Sequence, residues 1–219
     1  NWIETKLDGA TDLVVELLGG PENTGFSNET LSFNVSYKLD NTKIKTGMVV
    51  RFYPEGFFVF PDYDIHKQFL IMQKLADHDI KVPKVIWYEP SDEVFGTSFY
   101  VMEMANGDAP SDNPPFHQEG WVADSSEEVR ERIWWGWVEQ MAKIHQVDIS
   151  NGDFEFLNRP KLAEDYLDQE LNYYFNFHDW AMEGEAHPVA DQAIPVAPLW
   201  PSRGRVGHPA RVSLAHDAV

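Results

Sequence analysis

Apolar residues in the first hundred positions recur mostly at the two-residue period of β-strands. Residues 12–19, 30–38 and 46–54 carry three such patterns, rich in β-branched and aromatic side chains. Residues 80–88 and 97–104 carry two more, each bounded by polar or Pro-containing stretches. The pattern therefore predicts five strands.

One helix is predicted between the third and fourth strands, over residues 62–75. Ile65, Phe69, Met72 and Leu75 recur there at spacings of three and four, which places them on one helical face. Three strands, a helix and two strands fit a five-stranded antiparallel sheet with one packed helix. The predicted fold class is α+β.

The second half of the chain has a helical pattern. A polar, Pro-rich connector at residues 107–115 precedes a predicted helix over 126–145, with Ser125 as its cap. A further helix is predicted over 161–182. The predicted buried face of the first of these helices comprises Ile133, Trp137, Met141 and Ile144.

The pattern divides the chain into three parts. Residues 1–107 form a sheet-containing lobe, and residues 108–188 form a helical part. Residues 189–219 are an atypical tail with Pro195, Pro198, Pro201 and Pro209 and little periodicity. We interpret at least part of this tail as out of frame.

Composition and charge exclude several classes of function. The formal net charge is -19, which argues against nucleic acid and anionic membranes as partners. The chain has no Cys, no apolar run of membrane-spanning length and no signal-peptide pattern at its start. No His or Glu cluster has metal-ligand spacing, so no protein-only metal site is predicted. These features predict a cytoplasmic protein.

A candidate phosphate-binding loop lies between the first two predicted strands, at residues 25–30 with the sequence GFSNET. Glycine permits close approach of the backbone, and Ser27, Asn28 and Thr30 offer side-chain hydrogen bonds to phosphate oxygens. A hairpin turn without a ligand is the alternative interpretation.

A candidate cation and its orienting group follow. Arg51 is a single charge in the apolar third strand and could pair with phosphate, or it could face solvent. Gln68 occupies the helix position from which a side chain could orient Arg51, with Asp64 one turn earlier. Gln68 could instead be an ordinary surface residue.

A candidate adenine-binding hinge lies at the end of the fifth predicted strand. Met102, Glu103 and Met104 would offer backbone groups to a base, and methionine suits an adaptable apolar pocket. A plain strand end in the core is the alternative interpretation.

Taken in order, these blocks resemble the aminoglycoside-phosphotransferase family of kinase-like enzymes. The resemblance covers residues 13–188 and includes GFSNET at 25–30, Val50-Arg51, VPKV at 82–85, FYVM at 99–102, Asn106-Gly107, DNPP at 112–115 and FLNRP at 156–160. It implies a bilobal kinase-like fold, ATP and Mg²⁺ as cofactors, and phosphoryl transfer to a hydroxyl of a small molecule. By position, Ser27, Asn28 and Thr30 would line the phosphate loop and Arg51 would pair with phosphate.

The catalytic loop that the resemblance calls for is incomplete. Asp153 followed by Asn158 matches it loosely but comes directly after the long helix, before the helical subdomain that family members insert. Asp217 follows a short apolar segment but lacks an Asn after it. We therefore expect an incomplete helical C-lobe and no phosphotransferase activity, with a non-catalytic nucleotide-binding module as the alternative. Exposed apolar helix faces around Trp134, Trp135 and Trp137 would then favour self-association.

Overall fold

The computed structural model of the chain describes residues 2–19, 30–54 and 58–193. Its strands are β1 (Thr11–Gly19), β2 (Thr30–Leu39), β3 (Thr42–Phe52), β4 (Val85–Glu89) and β5 (Phe99–Glu103). Its helices are α1 (Ile65–Leu75), α2 (Glu127–His145), α3 (Tyr166–Met182) and α4 (Pro188–Ala193). Short 3-10 helices lie at Ile3–Lys6, Ala76–His78 and Glu155–Leu157.

The five strands form one antiparallel sheet, as predicted. Their order in the sheet is β1-β2-β3-β5-β4. Strand β3 begins at Thr42, earlier than the predicted residue 46. Strand β3 starts early because the β2–β3 turn has only two residues, Asp40 and Asn41, so pairing resumes at Thr42. The φ angles of Asp40 and Asn41 are 49° and 61°. Both residue types tolerate this left-handed conformation, which two-residue hairpin loops favour.

Strand β4 is shorter than predicted, because the backbone N–H groups before it form hydrogen bonds outside the sheet. The Val82 N–H donates to the Ile80 carbonyl at 2.9 Å, which closes a tight turn. The Lys81 N–H donates to Gln140 Oε1 of α2 at 2.8 Å. Pro83 has no N–H to give. Pairing with β5 therefore starts at Val85.

One face of the sheet holds the largest apolar cluster of the described residues. Its buried members are Phe33, Val35, Met48, Val50, Phe52, Phe99 and Val101. Trp2, Ile3 and Leu7 of the N-terminal segment pack against this cluster. The Trp2 ring lies 4.9 Å from the Phe99 ring, and its Nε1 donates to Glu89 Oε2 at 2.7 Å. The N-terminal segment thus covers this face.

Helix α1 covers the opposite face. Asp64 caps it by accepting the Lys67 N–H at 2.8 Å, which fixes the start at Ile65, three residues after the predicted start. Ile65 and Met72 form a buried cluster with Tyr100 of β5. Helix α1 therefore lies directly over the end of the sheet that carries β5.

Helix α2 docks on the turn between α1 and β4 through polar and apolar contacts. Gln140 accepts the Lys81 N–H, and Lys143 Nζ pairs with Asp79 Oδ2 at 2.9 Å. Ile144 packs at the edge of a buried cluster that comprises Ile71, Leu75, Ile80, Phe154 and Leu157. This cluster connects the helical part of the chain to the back of α1.

The predicted buried face of α2 is wrong. None of its residues is buried, and Trp137 and Met141 are 64% and 47% exposed. Ile133 and Ile144 are half-buried, because the docking contacts select the side of the helix that carries them. The predicted cap is also wrong: Ser126 is the N-cap residue, and the Ser125 hydroxyl donates to the Trp121 carbonyl instead.

Helix α3 begins at Tyr166, later than the predicted residue 161. Asp165 caps it by accepting the N–H groups of Leu167 and Asp168. The preceding segment is fixed by side chains of α3 itself, since Gln169 Nε2 and Asn172 Nδ2 donate to the carbonyls of Ala163 and Leu162. Helix α4 spans the start of the predicted tail, where sequence periodicity indicated no helix.

The architecture is α+β, with a five-stranded antiparallel sheet and one packed helix followed by helices. In the described residues, none of the helices has the length and apolar character required to cross a bilayer.

Candidate functional site

Arg51 lies in the middle of a row of directly opposed residues that crosses three strands. It pairs with Thr30 on β2 and with Tyr100 on β5. Directly opposed residues on neighbouring strands point to the same face of a sheet. Tyr100 is fully buried, and its hydroxyl donates to Met72 Sδ of α1 at 3.7 Å. Thr30 and Arg51 therefore project to the face that α1 covers.

Gln68 lies on the sheet-facing side of α1. It is three residues after Ile65 and four before Met72, so the three side chains share one face of the helix. Gln68 Oε1 is buried and has no hydrogen-bond donor among the described residues. A buried acceptor without a donor costs about 1–3 kcal/mol. The structure thus contains an unsatisfied acceptor on the same face as Arg51.

Asp64 acts as the N-terminal cap of α1. Its Oδ1 accepts the Lys67 N–H in the capping contact at the start of α1. The orienting position on the sheet-facing side is therefore left to the neutral amide of Gln68. A neutral amide can accept a hydrogen bond from a guanidinium but adds no charge to it.

The predicted hinge runs along the edge of the same face. Met102 is opposite Val49 of β3 and packs in the cluster of α1 with Tyr100. The Glu103 N–H donates to the Lys84 carbonyl at 2.8 Å, and the Met104 N–H donates to the Gly47 carbonyl at 3.1 Å. Both N–H groups are thus used within the sheet. A base at this edge would meet backbone carbonyls and the two methionine side chains.

Three of the predicted site residues lie outside the described part of the chain. Ser27 and Asn28 belong to the segment between β1 and β2, and Asp217 belongs to the C-terminal segment. Their assignments to the phosphate loop and the catalytic loop remain predictions. Thr30, at the end of the loop, is the one predicted loop residue that the structure describes, and it is directly opposite Arg51.

Asp153 is engaged with the last turn of α1. Its Oδ1 accepts from Lys74 Nζ at 2.6 Å, and its Oδ2 accepts from Asn151 Nδ2 at 2.7 Å. The hydrogen bond from Lys74 and the charge of Lys74 lower the pKa of Asp153. The same hydrogen bond and the charge of Asp153 raise the pKa of Lys74. The described contacts place Asp153 beside Lys74, and none of them joins it to the Thr30–Arg51–Tyr100 row.

Asn158 is engaged within the helical part. Its Oδ1 accepts from Gln169 Nε2 at 2.9 Å, and its Nδ2 donates to Glu155 Oε1 at 2.8 Å. Gln169 is buried and also donates to the Ala163 carbonyl. Asn158 thus helps to join the segment before α3 to that helix.

The described residues contain no group of three or more His, Asp or Glu side chains that could hold a metal ion. The Arg51 face combines a cation and an unsatisfied acceptor on one side of the sheet.

Sequence reasoning missed the alignment of Thr30 with Arg51, although a signal for it was present. The Asp40-Asn41 turn fixes the pairing of Leu39 with Thr42, and counting back along both strands reaches Thr30 and Arg51. It also missed Gly47, whose carbonyl holds the Met104 N–H and which leaves room for the Met104 side chain. A glycine inside a strand is a signal for such a close approach.

Comparison with known families agrees with this geometry. The sequence profile of the phosphotransferase enzyme family matches residues 29–207. The chain belongs to this family. The match includes Thr30, Arg51, Gln68 and the hinge, and it extends through both long helices.

A solved structure has the same fold. It is the crystal structure, at 2.32 Å resolution, of a Ralstonia eutropha JMP134 protein that is provisionally named an aminoglycoside phosphotransferase. The two share 20% sequence identity with a TM-score of 0.53, and the alignment covers 90% of this chain. It covers 51% of the Ralstonia chain, so this chain spans about half the length of that protein. At this identity the likeness establishes the kinase-like fold alone.

Proposed function

We propose that this phosphotransferase family member binds ATP with Mg²⁺ on the α1 face of its sheet and is, by descent, an enzyme that phosphorylates a hydroxyl of a small molecule. The observation that carries the proposal is the placement of Arg51 opposite Thr30, at the end of the predicted phosphate loop. A cation beside a backbone-rich loop is what the phosphates of a nucleotide require. A cytoplasmic location would supply both cofactors.

The described residues have distinct roles in this proposal. Arg51 binds a phosphate oxygen with its planar guanidinium, and Thr30 donates its hydroxyl beside it. Gln68 accepts a hydrogen bond that orients the guanidinium or the ligand. Met102 and Met104 pack against the base, which Glu103 contacts through its backbone carbonyl. ATP would supply the phosphoryl group, with Mg²⁺ offsetting the negative charge of its phosphates.

A second candidate function is nucleotide binding without turnover. It is favoured by the contacts of Asp153 and Asn158, which are committed to Lys74 and to Gln169. If Asp153 stays bonded to Lys74 and Asn158 to Gln169 in solution, neither side chain is available to activate the acceptor hydroxyl. The described residues would then bind nucleotide without a catalytic base. Asp217 is then the remaining candidate for that role.

Nucleotide binding is tested by calorimetric titration of the chain with ATP and Mg²⁺. Arg51→Met should weaken binding by about tenfold or more, since a hydrogen bond to a charged group contributes roughly 1.5–3 kcal/mol. Lys45→Met is a matched control: it removes a cation from the same strand and the same face, about 20 Å away at 3.3 Å per residue. Equal losses in the two variants, or no binding by the unaltered chain, would contradict the proposal.

Measurement of ATP turnover distinguishes an active phosphotransferase from a protein that binds nucleotide without turnover. ATP consumption by the unaltered chain is measured alongside Asp153→Asn and Asp217→Asn with a panel of small hydroxylated acceptors, cationic ones included because the chain is acidic. Loss of turnover in Asp153→Asn alone would assign catalysis to Asp153, and loss in Asp217→Asn alone would assign it to Asp217. Binding without turnover in all three proteins supports the second candidate.

A further inference from the structure

The tripeptide Asn-Gly-Asp occurs twice in the chain, at residues 106–108 and at residues 151–153. An asparagine followed by glycine is prone to lose its side-chain amide without an enzyme, because glycine has no Cβ to hinder the approach of its backbone nitrogen. Since the reacting residues are identical at the two sites, the surrounding structure decides which site reacts.

This deamidation requires water as its co-reactant. The backbone nitrogen of the glycine bonds to Cγ of the asparagine, and the bond between Cγ and Nδ2 breaks. The amide proton of the glycine leaves with the Nδ2 group as ammonia, and a cyclic succinimide remains. Water then adds to either ring carbonyl and opens the ring to aspartate or isoaspartate. A neutral side chain thereby becomes a carboxylate.

The side chain of Asn151 is held in a closed turn. Its Oδ1 accepts the Asp153 N–H at 2.9 Å, and its Nδ2 donates to Asp153 Oδ2 at 2.7 Å. Asp153 is itself held by Lys74 Nζ of α1 at 2.6 Å. Both polar atoms of the Asn151 amide are therefore bonded, and Nδ2 must give up its hydrogen bond before it can leave as ammonia. The turn opposes the reaction at Asn151.

The side chain of Asn106 lacks such a turn. It is exposed and makes no hydrogen bond to the described residues, and residues 104–110 belong to no helix or strand. Space around the glycine does not distinguish the two sites, since a Cβ at Gly107 or at Gly152 would meet no atom within 4 Å. The difference between the sites thus lies in the hydrogen bonds of the asparagine side chain.

We propose that Asn106 is a site of spontaneous deamidation in the folded protein and that the Asn151–Asp153 turn protects Asn151 from the same reaction. The product adds one negative charge to a chain of net charge -19, two residues after Met104 of the predicted hinge. The isoaspartate product also lengthens the backbone between β5 and α2 by one carbon atom. The proposal does not depend on nucleotide binding or on catalysis.

The rates are measured by incubating the purified protein at mildly alkaline pH and mapping its peptides by mass spectrometry over a time course. In the folded protein Asn106 should convert faster than Asn151 by about tenfold or more, because two hydrogen bonds restrain the Asn151 amide. In guanidinium chloride the two sites should convert at similar rates, since the tripeptides are identical. Equal rates in the folded protein, or a faster reaction at Asn151, would overturn the proposal. Failure of Asn106 to convert in the folded protein, while both sites convert in the denaturant, would also overturn it.

A matched pair of variants tests the protective turn. Asp153→Ala removes the acceptor of Asn151 Nδ2 and should raise the rate at Asn151 severalfold. Asp108→Ala makes the same change in the other tripeptide and should leave the rate at Asn106 unaltered. Far-UV circular dichroism shows whether each variant is folded, and Lys74→Met replaces Asp153→Ala if that variant is not. A rate at Asn151 that stays slow in a folded variant would overturn the protective role of the turn.

Discussion

Arg51 and Tyr100 are directly opposite each other on β3 and β5, and the Tyr100 hydroxyl contacts Met72 of α1. This relationship fixes the side of the sheet to which Arg51 points. It also places Gln68 on the same side, since Gln68 shares a helical face with Met72. The site is thus assembled from three strands and one helix, with α1 held on the sheet by largely apolar contacts.

Replacing Gln68 with an apolar residue should preserve or raise the stability of the fold and lower the affinity for ATP. Its buried Oε1 has no donor among the described residues, so Gln68→Met replaces an unsatisfied acceptor with an apolar group of similar size. We expect the variant to be at least as stable as the parent, by up to about 1 kcal/mol, and to bind ATP more weakly. Urea unfolding and nucleotide titration of the same samples measure both.

Gln68→Glu provides the matched comparison. It keeps the size of the side chain and adds the charge that could orient Arg51. If Gln68 is only a surface residue, neither variant should change nucleotide affinity. A Gln68→Met protein that is less stable yet binds ATP as before would also contradict the assigned role.

A side chain at Gly47 should displace Met104, because Gly47 faces the predicted hinge. A Cβ at this position would lie 3.2 Å from Met104 Cβ and would overlap Met104 Cε. We expect Gly47→Ala to cost about 1 kcal/mol of unfolding free energy, because the end of the Met104 side chain can move away but its Cβ must shift by a smaller amount. Met104→Ala removes the overlapping atom, so the double variant should lose less stability than the sum of the single variants. Strict additivity would show that the two residues are not in contact in solution.

The arrangement of the sheet could be predicted from the sequence because local signals agreed with the tertiary structure. The alternation in β2 and β3 and the Asp40-Asn41 turn together fix the strand register, and Arg51 follows from it. The end of β5, where the hinge is predicted, follows from the same alternation. Its hydrogen bonds could not be predicted, because the donors and acceptors at Lys84 and Gly47 are distant in sequence from Glu103 and Met104.

The orientation of α2 could not be predicted from apolar periodicity. Trp137 and Met141 were expected inside, but the helix is oriented by Gln140 and Lys143, two polar residues that bond Lys81 and Asp79. A count of apolar residues assigns no weight to such contacts. It therefore selects the face with the most aromatic surface, which here is the exposed one.

Substitution of Gly136 by alanine should raise the free energy of unfolding, whereas the same substitution at Gly47 should lower it. It lies inside α2, and a Cβ there would have no atom within 4 Å to meet. Gly136→Ala should stabilise the chain by about 0.5–1 kcal/mol, because glycine loses more backbone entropy in a helix than alanine does. Urea unfolding measures the change. A loss of stability would indicate that this side of α2 contacts a segment outside the described residues.

The contact between Asp153 and Lys74 should make stability depend on pH in a defined direction. The hydrogen bond from Lys74 lowers the pKa of Asp153 below its ordinary value of 3.8 in the folded state. The carboxylate therefore stabilises the fold fully above that ordinary value, and the stabilisation is lost as pH falls through the lowered pKa. We expect Asp153→Asn to lower the melting temperature near neutral pH and to match the parent in strong acid. Lys74→Met should produce the same difference near neutral pH, and the double variant should lose no more than either single variant. A difference that persists unchanged in acid, or that is absent near neutrality, would mean that Asp153 is not held by Lys74 in solution and is available to a catalytic loop.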